Sequence, residues 1–321
     1  MAKQHYLVIG ARGFIGSWIC RLLVEEGVKV TASDASPDPR SVDSVLSQKH
    51  IDNIDFRVAD ARDPDATAAL IDDSVTHVVY LAGLLRPQSE QNPLMNSQVS
   101  VGGVINVMNA SVKREGRLGI AYASTAAVYG SPSLYPGAKI DAESKPAPRD
   151  HYGVTRYTME MLADVYARDN GVYSVGLRPW VVYGAGRFSG LTAQPSIAML
   201  AAAANAPFEM KFGGRIIIHH GREVAKAFIE AARANVKSAV HANVPGDSVE
   251  MNDLIEIIYR AAPEARGKIS ASSNIIGGLQ YLEDPRLEQI IGPLPPLTDE
   301  RVRETVEDYK RLLKEKRIAY P

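Results

Sequence analysis

A chain of 321 residues, 45% hydrophobic and 23% charged, is long enough to bury a sizeable core, as one large α/β unit or as two lobes. Its net charge of −1, with Lys and Arg spread along the sequence, leaves no basic stripe to neutralise phosphates and argues against a nucleic-acid partner. Cys20 is the only cysteine, so neither an intramolecular disulfide nor a Cys-based metal site can form.

In chain order, residues 6–9 form a continuous apolar run that predicts a strand. It starts so close to Met1 that no room remains for the charged and apolar regions of a signal peptide. A helical pattern follows over 15–26, with Cys20 on its apolar side as a buried structural thiol. Further strands are predicted over 28–33, 55–58, 75–81 and 118–123, within 172–182, and over 239–244. Helices are predicted over 99–114 and 152–170. Such alternation of strand and helix means crossover units and a doubly wound parallel sheet.

After Tyr183 the pattern changes. Residues 185–218 read as irregular apart from a short Ala-rich buried helix near 197–204. Residues 248–321 combine helices with the Pro-rich run Gly292-Pro293-Leu294-Pro295-Pro296, and the charges of 299–315 suit a solvated helix face. No apolar run approaches the ~20 residues of a membrane span, so a cytoplasmic protein without a membrane partner is expected.

The first strand runs into Gly10-Ala11-Arg12-Gly13-Phe14-Ile15-Gly16 and then into a helix. Gly10 allows the tight turn, Gly13 lets backbone approach a pyrophosphate, and Gly16 lets the helix pack on the strand. N–H groups at the helix start then meet the phosphate charge. Asp34 lies just past the second strand, ~20 residues on, where a carboxylate accepts from both ribose hydroxyls and repels a 2′-phosphate. The cofactor expected is therefore NAD. Arg12 is close enough in sequence to offer a phosphate partner. Asp60 and Ala61, at the end of the third strand, are placed beside the adenine.

These motifs, together with Leu81-Ala82-Gly83, Ser124-Thr125-Ala126-Ala127-Val128-Tyr129-Gly130, Tyr152-Gly153-Val154-Thr155-Arg156 and Arg178-Pro179-Trp180-Val181-Val182-Tyr183-Gly184, carry a resemblance. The chain resembles, nearly end to end, the extended short-chain dehydrogenase/reductases, the group that includes NAD-dependent epimerase/dehydratases. The resemblance implies an α/β fold with a Rossmann-type doubly wound parallel sheet (1–184 and 219–247) and a smaller C-terminal substrate lobe (185–218 and 248–321). It implies that Leu81, Ala82, Gly83 and Pro179 line the cofactor, as do Phe14 and Ile15 of the glycine turn.

It also casts Tyr152 as the proton carrier on a substrate hydroxyl and Thr125 as the donor to the same oxygen. A phenol with an ordinary pKa of ~10 is a poor base near neutrality, and a nearby cation favours its anion. Residue 156, four positions on, shares the helix face of Tyr152. There Arg156 replaces the lysine of the Tyr-x-x-x-Lys pattern. Arg keeps the charge and can fork two hydrogen bonds to the nicotinamide ribose, but it cannot deprotonate.

Three departures bear on substrate. Val181 stands where sugar-nucleotide members often carry Asn, and Ser100 replaces a frequent Asn after the fourth strand. His220-Gly221-Arg222-Glu223-Val224-Ala225 replaces an acidic run. They point to a smaller polyol, sugar or sugar-acid-like molecule, with Arg86, Ser124, Thr125 and Arg187 as candidate contacts; Arg187 and Arg215 could meet an anionic substrate. Adjacent His219 and His220 point apart if extended, so no metal site is expected. The resemblance implies a homodimer paired through the helices at 99–114 and 152–170, with Met159, Ala163, Val165 and Ala167 as contacts. The activity expected is NAD-dependent oxidation of a secondary alcohol or the reverse. The alternatives are a nucleotide-sugar epimerase/dehydratase that recycles NAD and a non-catalytic NAD-sensing member.

Overall fold

The computed structural model describes residues 4–35, 40–141, 143–274, 280–294 and 299–320. Seven strands form the central sheet: β1 (His5–Ile9), β2 (Lys29–Asp34), β3 (Ile54–Val58), β4 (His77–Tyr80), β5 (Gly119–Ala123), β6 (Val175–Arg178) and β7 (Val240–Asn243). Their order is 3-2-1-4-5-6-7 and every pairing is parallel. The apolar runs 6–9 in β1, 78–80 in β4 and 175–177 in β6 follow from cover on both faces, which leaves no solvated side to favour alternation. One face packs on Trp18, Ile19, Leu23, Val224 and Phe228, the other on Val104, Met108, Met159 and Ala163. Strand order reverses between β1 and β4, and ligands of open α/β sheets bind outside the strand ends at such a point.

Two helices line the groove at that point, α1 (Phe14–Glu25) and α3 (His151–Asn170), and α2 (Gly103–Val112) packs on the sheet beside them. Helix α1 buries Cys20 completely, and burial pushes its thiol up to about 12, as suits a structural residue. A π-helical turn, Gln98–Gly102, leads into α2.

The segment 185–218, expected to be irregular apart from the Ala-rich helix near 197–204, has that helix and is otherwise more ordered. It holds a helix, Gln194–Ala203, and strands Phe208–Met210 and Arg215–His220. The last of these pairs in parallel with Val181–Tyr183 and antiparallel with Asp247–Glu250. The apolar triplet Ile216-Ile217-Ile218 gains a strand partner only through this tertiary arrangement. The strand also runs across the 218/219 boundary drawn from the sequence. A second core, with Tyr183, Met199, Phe212, Leu254, Ile258, Val302, Val306 and Tyr309, lies around it. Pro295 and Pro296 lie outside the described residues.

Candidate active site

Two adjoining cavities open at the switch point. One, about 330 Å³, is lined by Asp34, Asp60, Ala61, Ala82, Met95 and Val99 among others. The other, about 210 Å³, is lined by Phe14, Ile15, Gly16, Arg86, Ser124, Thr125, Tyr152, Arg156, Pro179 and Arg187 among others. Gly10, Gly13, Leu81 and Gly83 line both, so the two form one groove crossing the ends of β1 and β4.

The glycine turn forms this groove for steric reasons. Gly10 has φ +85°, and a Cβ there would lie 2.9 Å from the Ala82 nitrogen. A Cβ on Gly16 would lie 2.7 Å from the Ala11 Cα, so any larger residue would push α1 off the turn. The N-cap of α1, Gly13, carries no side-chain cap, which leaves the first amides of the helix for an anion. At the end of β2, Asp34 Oδ2 accepts the Arg12 N–H at 3.0 Å. The Arg12 guanidinium itself lies over the Phe56 ring at 5.6 Å. Asp60 is bonded to the backbone and side chain of Arg62, and that guanidinium holds its carboxyl below the usual range.

Cradle and carboxylate together fit a dinucleotide with a free 2′-hydroxyl. Asp34→Ala should narrow the preference for NAD over NADP by about 1–3 kcal/mol, the worth of a charged hydrogen bond. Calorimetric titration of both cofactors checks this. Tighter binding of NADP than NAD by the native protein would contradict the role of Asp34.

Helix α3 carries the rest of the site. Its N-terminus is capped twice. Asp150 Oδ1 accepts from Gly153 N–H at 2.7 Å, and the Glu90 carboxylate accepts from the N–H groups of His151 and Tyr152, both at 3.2 Å. Tyr152 is thereby fixed over the cavity. Asp150 also pairs with Arg86 at 2.8 Å, so the Arg86 charge at the cavity mouth is already compensated. Thr125 Oγ1 accepts from Ala127 N–H at 3.2 Å, which leaves the hydroxyl proton for another acceptor. Ser124 lines the same cavity, but its hydroxyl donates to Glu160 and is not held out to a substrate.

Arg156 is 2% exposed and its guanidinium carbon sits 5.4 Å from the centre of the Tyr152 ring. The two-pronged ribose contact expected from the sequence is only partly available. Nη1 donates to Ala123 O at 2.8 Å, and Nε faces no acceptor among the described residues. A Cβ on Gly83 would overlap this guanidinium, so the glycine of Leu81-Ala82-Gly83 makes space for the arginine as well as lining the groove.

Asn96, Glu160 and Asn243 escaped the sequence reading, and they tie together residues that it did name. Asn96 Nδ2 donates to Thr155 Oγ1 at 3.0 Å, and Ser100 Oγ donates to Asn96 Oδ1 at 3.3 Å, all three buried. Glu160, 1% exposed, takes the Arg178 guanidinium with both oxygens, at 2.7 and 2.6 Å. Arg178 continues to Tyr129 Oη at 2.7 Å, and Tyr129 to Asn243 at 3.0 Å. Burial opposes the charged guanidinium, yet the pairing with Glu160 outweighs it and raises the Arg178 pKa. A readable signal did exist, because Glu160 follows Arg156 by four on the face that α3 buries.

Other candidates fall away from the groove. Arg215 pairs with Glu250 at 3.4 Å. His219 Nε2 accepts from Trp180 N–H and its Nδ1 bonds Pro245 O, both at 3.0 Å, and burial brings its pKa down to about 4. Both ring nitrogens are used, and no group of three His, Cys, Asp or Glu among the described residues could hold a metal ion.

Residues 6–244 match the model of the NAD dependent epimerase/dehydratase family. The chain belongs to that family. That family is one of NAD-dependent epimerases and dehydratases. It is 30% identical over 183 residues to a putative UDP-glucose 4-epimerase of Methanocaldococcus jannaschii, a match covering 56% of each chain. It thus spans about half the length of that curated relative. Two solved structures are similar over nearly the whole fold. A UDP-N-acetylglucosamine 4-epimerase from Methanobrevibacter ruminantium M1, in complex with UDP-N-acetylmuramic acid, has a TM-score of 0.81 at 22% identity, covering 96% of this chain and 99% of that one. An L-threonine dehydrogenase from Clostridium difficile has 0.82 at 17% identity, covering 99% and 100%. No helix among the described residues is long and apolar enough to cross a membrane.

Proposed function

We propose that this family member is a cytoplasmic, homodimeric oxidoreductase that moves hydride between the nicotinamide and a secondary alcohol or ketone carbon of a small polyol, sugar or sugar-acid-like substrate, held by the lobe of 185–218 and 248–321. The observation that carries the reading is the meeting of Thr125, Tyr152 and Arg156 in one cavity continuous with the glycine turn and Asp34. NAD, when bound, accepts or supplies the hydride. Gly10, Gly13 and the first turn of α1 would hold its diphosphate, Asp34 its ribose hydroxyls, Asp60 and Ala61 its adenine end, and Leu81, Gly83 and Pro179 its nicotinamide end.

The chain's own chemistry is proton handling. The Thr125 hydroxyl donates to the substrate oxygen and orients it. Tyr152 takes the proton from that oxygen in oxidation and returns it in reduction. Arg156 keeps a permanent positive charge against the Tyr152 ring. Leu85, Trp180, Val182 and Leu191 line the same cavity and exclude water.

The names of the epimerase relatives favour a second reading, a nucleotide-sugar epimerase that retains its cofactor. Absorbance of NADH over a panel of sugars, polyols and sugar acids separates the two. Accumulation of NADH with a panel member, lost in Tyr152→Phe, is expected. Interconversion of UDP-glucose without net NADH would favour the epimerase. NAD binding without turnover of either would favour a non-catalytic protein.

The dimer has a physical basis on α3. Val154, Met161 and Val165 are 47%, 47% and 39% exposed and follow one another along one helix face, with Val112 of α2 exposed as well. Met159 and Ala163, expected at this interface, are buried in the subunit's own core and cannot reach a partner. Placing a charge in that stripe with Met161→Glu should convert the dimer to a monomer. Light scattering at micromolar concentration measures it, and a native monomer would sink the proposal.

A further inference from the structure

We propose that the substrate carries a carboxylate and that the guanidinium of Arg187 receives it. This inference rests on the oxidoreductase reading and names its substrate class.

Among the described residues, the cavity that holds Thr125 and Tyr152 is lined by three arginines, Arg86, Arg156 and Arg187, and by no Asp or Glu. Two of the three are already engaged, Arg86 with Asp150 and Arg156 with the Ala123 carbonyl. Arg187 is different. Its one side-chain hydrogen bond among the described residues is from Nη2 to Thr192 Oγ1, at a long 3.4 Å, and its Nε is enclosed with no acceptor. Trp180 Nε1, on the same lining, is also enclosed without one. Burial lowers the Arg187 pKa, and the facing Tyr152 is the one group that opposes this.

A cation withdrawn from water without a counter-charge is unfavourable, and an anion that completes the site recovers the difference. Arg presents two parallel N–H donors, which match the two oxygens of a carboxylate. A Cβ on Gly190 would lie 3.3 Å from Arg187 Nη2, so a larger residue there would crowd the guanidinium. Arg187 lines the same cavity as Tyr152 and Thr125, which puts the anion on the reacting side. A small hydroxy acid, its alcohol at Tyr152 and its carboxylate at Arg187, satisfies both ends within the volume present.

Two diphosphate sources offer acceptors of the same kind. One is the cofactor, since the Arg187 guanidinium also lies 5.9 Å from the ring of Phe14 in the glycine turn. The other is a nucleotide sugar. The experiment separates them by calorimetry on the full chain, titrating malonate into the NAD-saturated protein and, separately, NAD and UDP. Native protein, Arg187→Met and Arg187→Lys are compared, with melting temperatures to verify folding.

Malonate should bind the native complex and bind Arg187→Met about 10-fold or more weakly, with NAD affinity unchanged. Arg187→Lys, a point charge without the fork, should fall between them, and it carries the comparison if the methionine variant does not fold. Absent malonate binding, or equal binding in all three, overturns the proposal. So does a fall in NAD affinity with malonate unaffected, which assigns Arg187 to the cofactor, or Arg187-dependent binding of UDP alone. Malonate has no hydroxyl to oxidise, so its binding is scored apart from turnover. Failure of the oxidoreductase reading shows instead as full activity in Tyr152→Phe.

Discussion

Tyr152→Phe should lower kcat by about 10²–10⁴ while NAD affinity stays at the native value. The substitution removes one oxygen from a side chain that lines the cavity beside Thr125, and the ring can keep its contact with Arg156. What is lost is the group that carries the proton to and from the substrate oxygen. Steady-state kinetics on any substrate that the native protein turns over, with a calorimetric NAD titration, reads both halves of the prediction. Arg156 supplies the internal comparison. If its work is electrostatic, Arg156→Lys retains activity or raises it, since a lysine keeps the charge and fits with room to spare beneath Gly83. Arg156→Met should lose most of the rate, because it removes the charge and leaves the Ala123 carbonyl without its 2.8 Å donor. Full activity in Tyr152→Phe would sink the mechanism whatever Arg156 did.

Glu160→Ala should destabilise the fold by about 3–5 kcal/mol, the usual result of removing one partner from a buried ion pair. The Arg178 side chain is 6% exposed and would lose a bidentate acceptor, while Ser124 would lose its own. Denaturant unfolding measures the change. The double variant Glu160→Met with Arg178→Met should recover much of it, because the cost lies in the orphaned charge more than in the lost attraction. A single-variant loss under about 1 kcal/mol would mean that Arg178 finds adequate partners in Tyr129 and water. The pair also ties α3 to β6, with Ser124 at the end of β5 held by the same carboxylate. Some loss of kcat in Glu160→Ala beyond the stability effect would therefore be expected through displacement of Thr125.

The central sheet was readable from the chain because its signals are local. A strand buried on both faces must be largely apolar, and the runs at 6–9, 78–81 and 118–123 meet that demand whatever surrounds them. The glycine turn was equally readable. Gly10 needs a positive φ and Gly16 lies against the Ala11 Cα, and both needs arise within a few residues of the motif itself. Asp34 could be placed because it follows directly from β2. Tyr152 and Arg156 could be paired because four residues on a helix share a face.

Contacts between elements distant in sequence were decided only by the tertiary structure. The strand Arg215–His220 becomes a strand through pairing with 181–183 and 247–250. Met159 and Ala163 read as dimer contacts from their apolar character, but packing turned them inward and left Val154, Met161 and Val165 on the surface. Whether a charge is spent or available is likewise a three-dimensional matter. Arg86, Arg156 and Arg187 look alike in a sequence. Asp150 neutralises the first, backbone carbonyls engage the second, and the third is half-buried, with an enclosed Nε and little to hold. The chain alone determined the family's fold and its cofactor, because those depend on short-range steric and hydrogen-bonding demands. Which cation faces the substrate depended on partners up to 74 residues away, as between Arg156 and Ala82, and on burial, which no local pattern encodes.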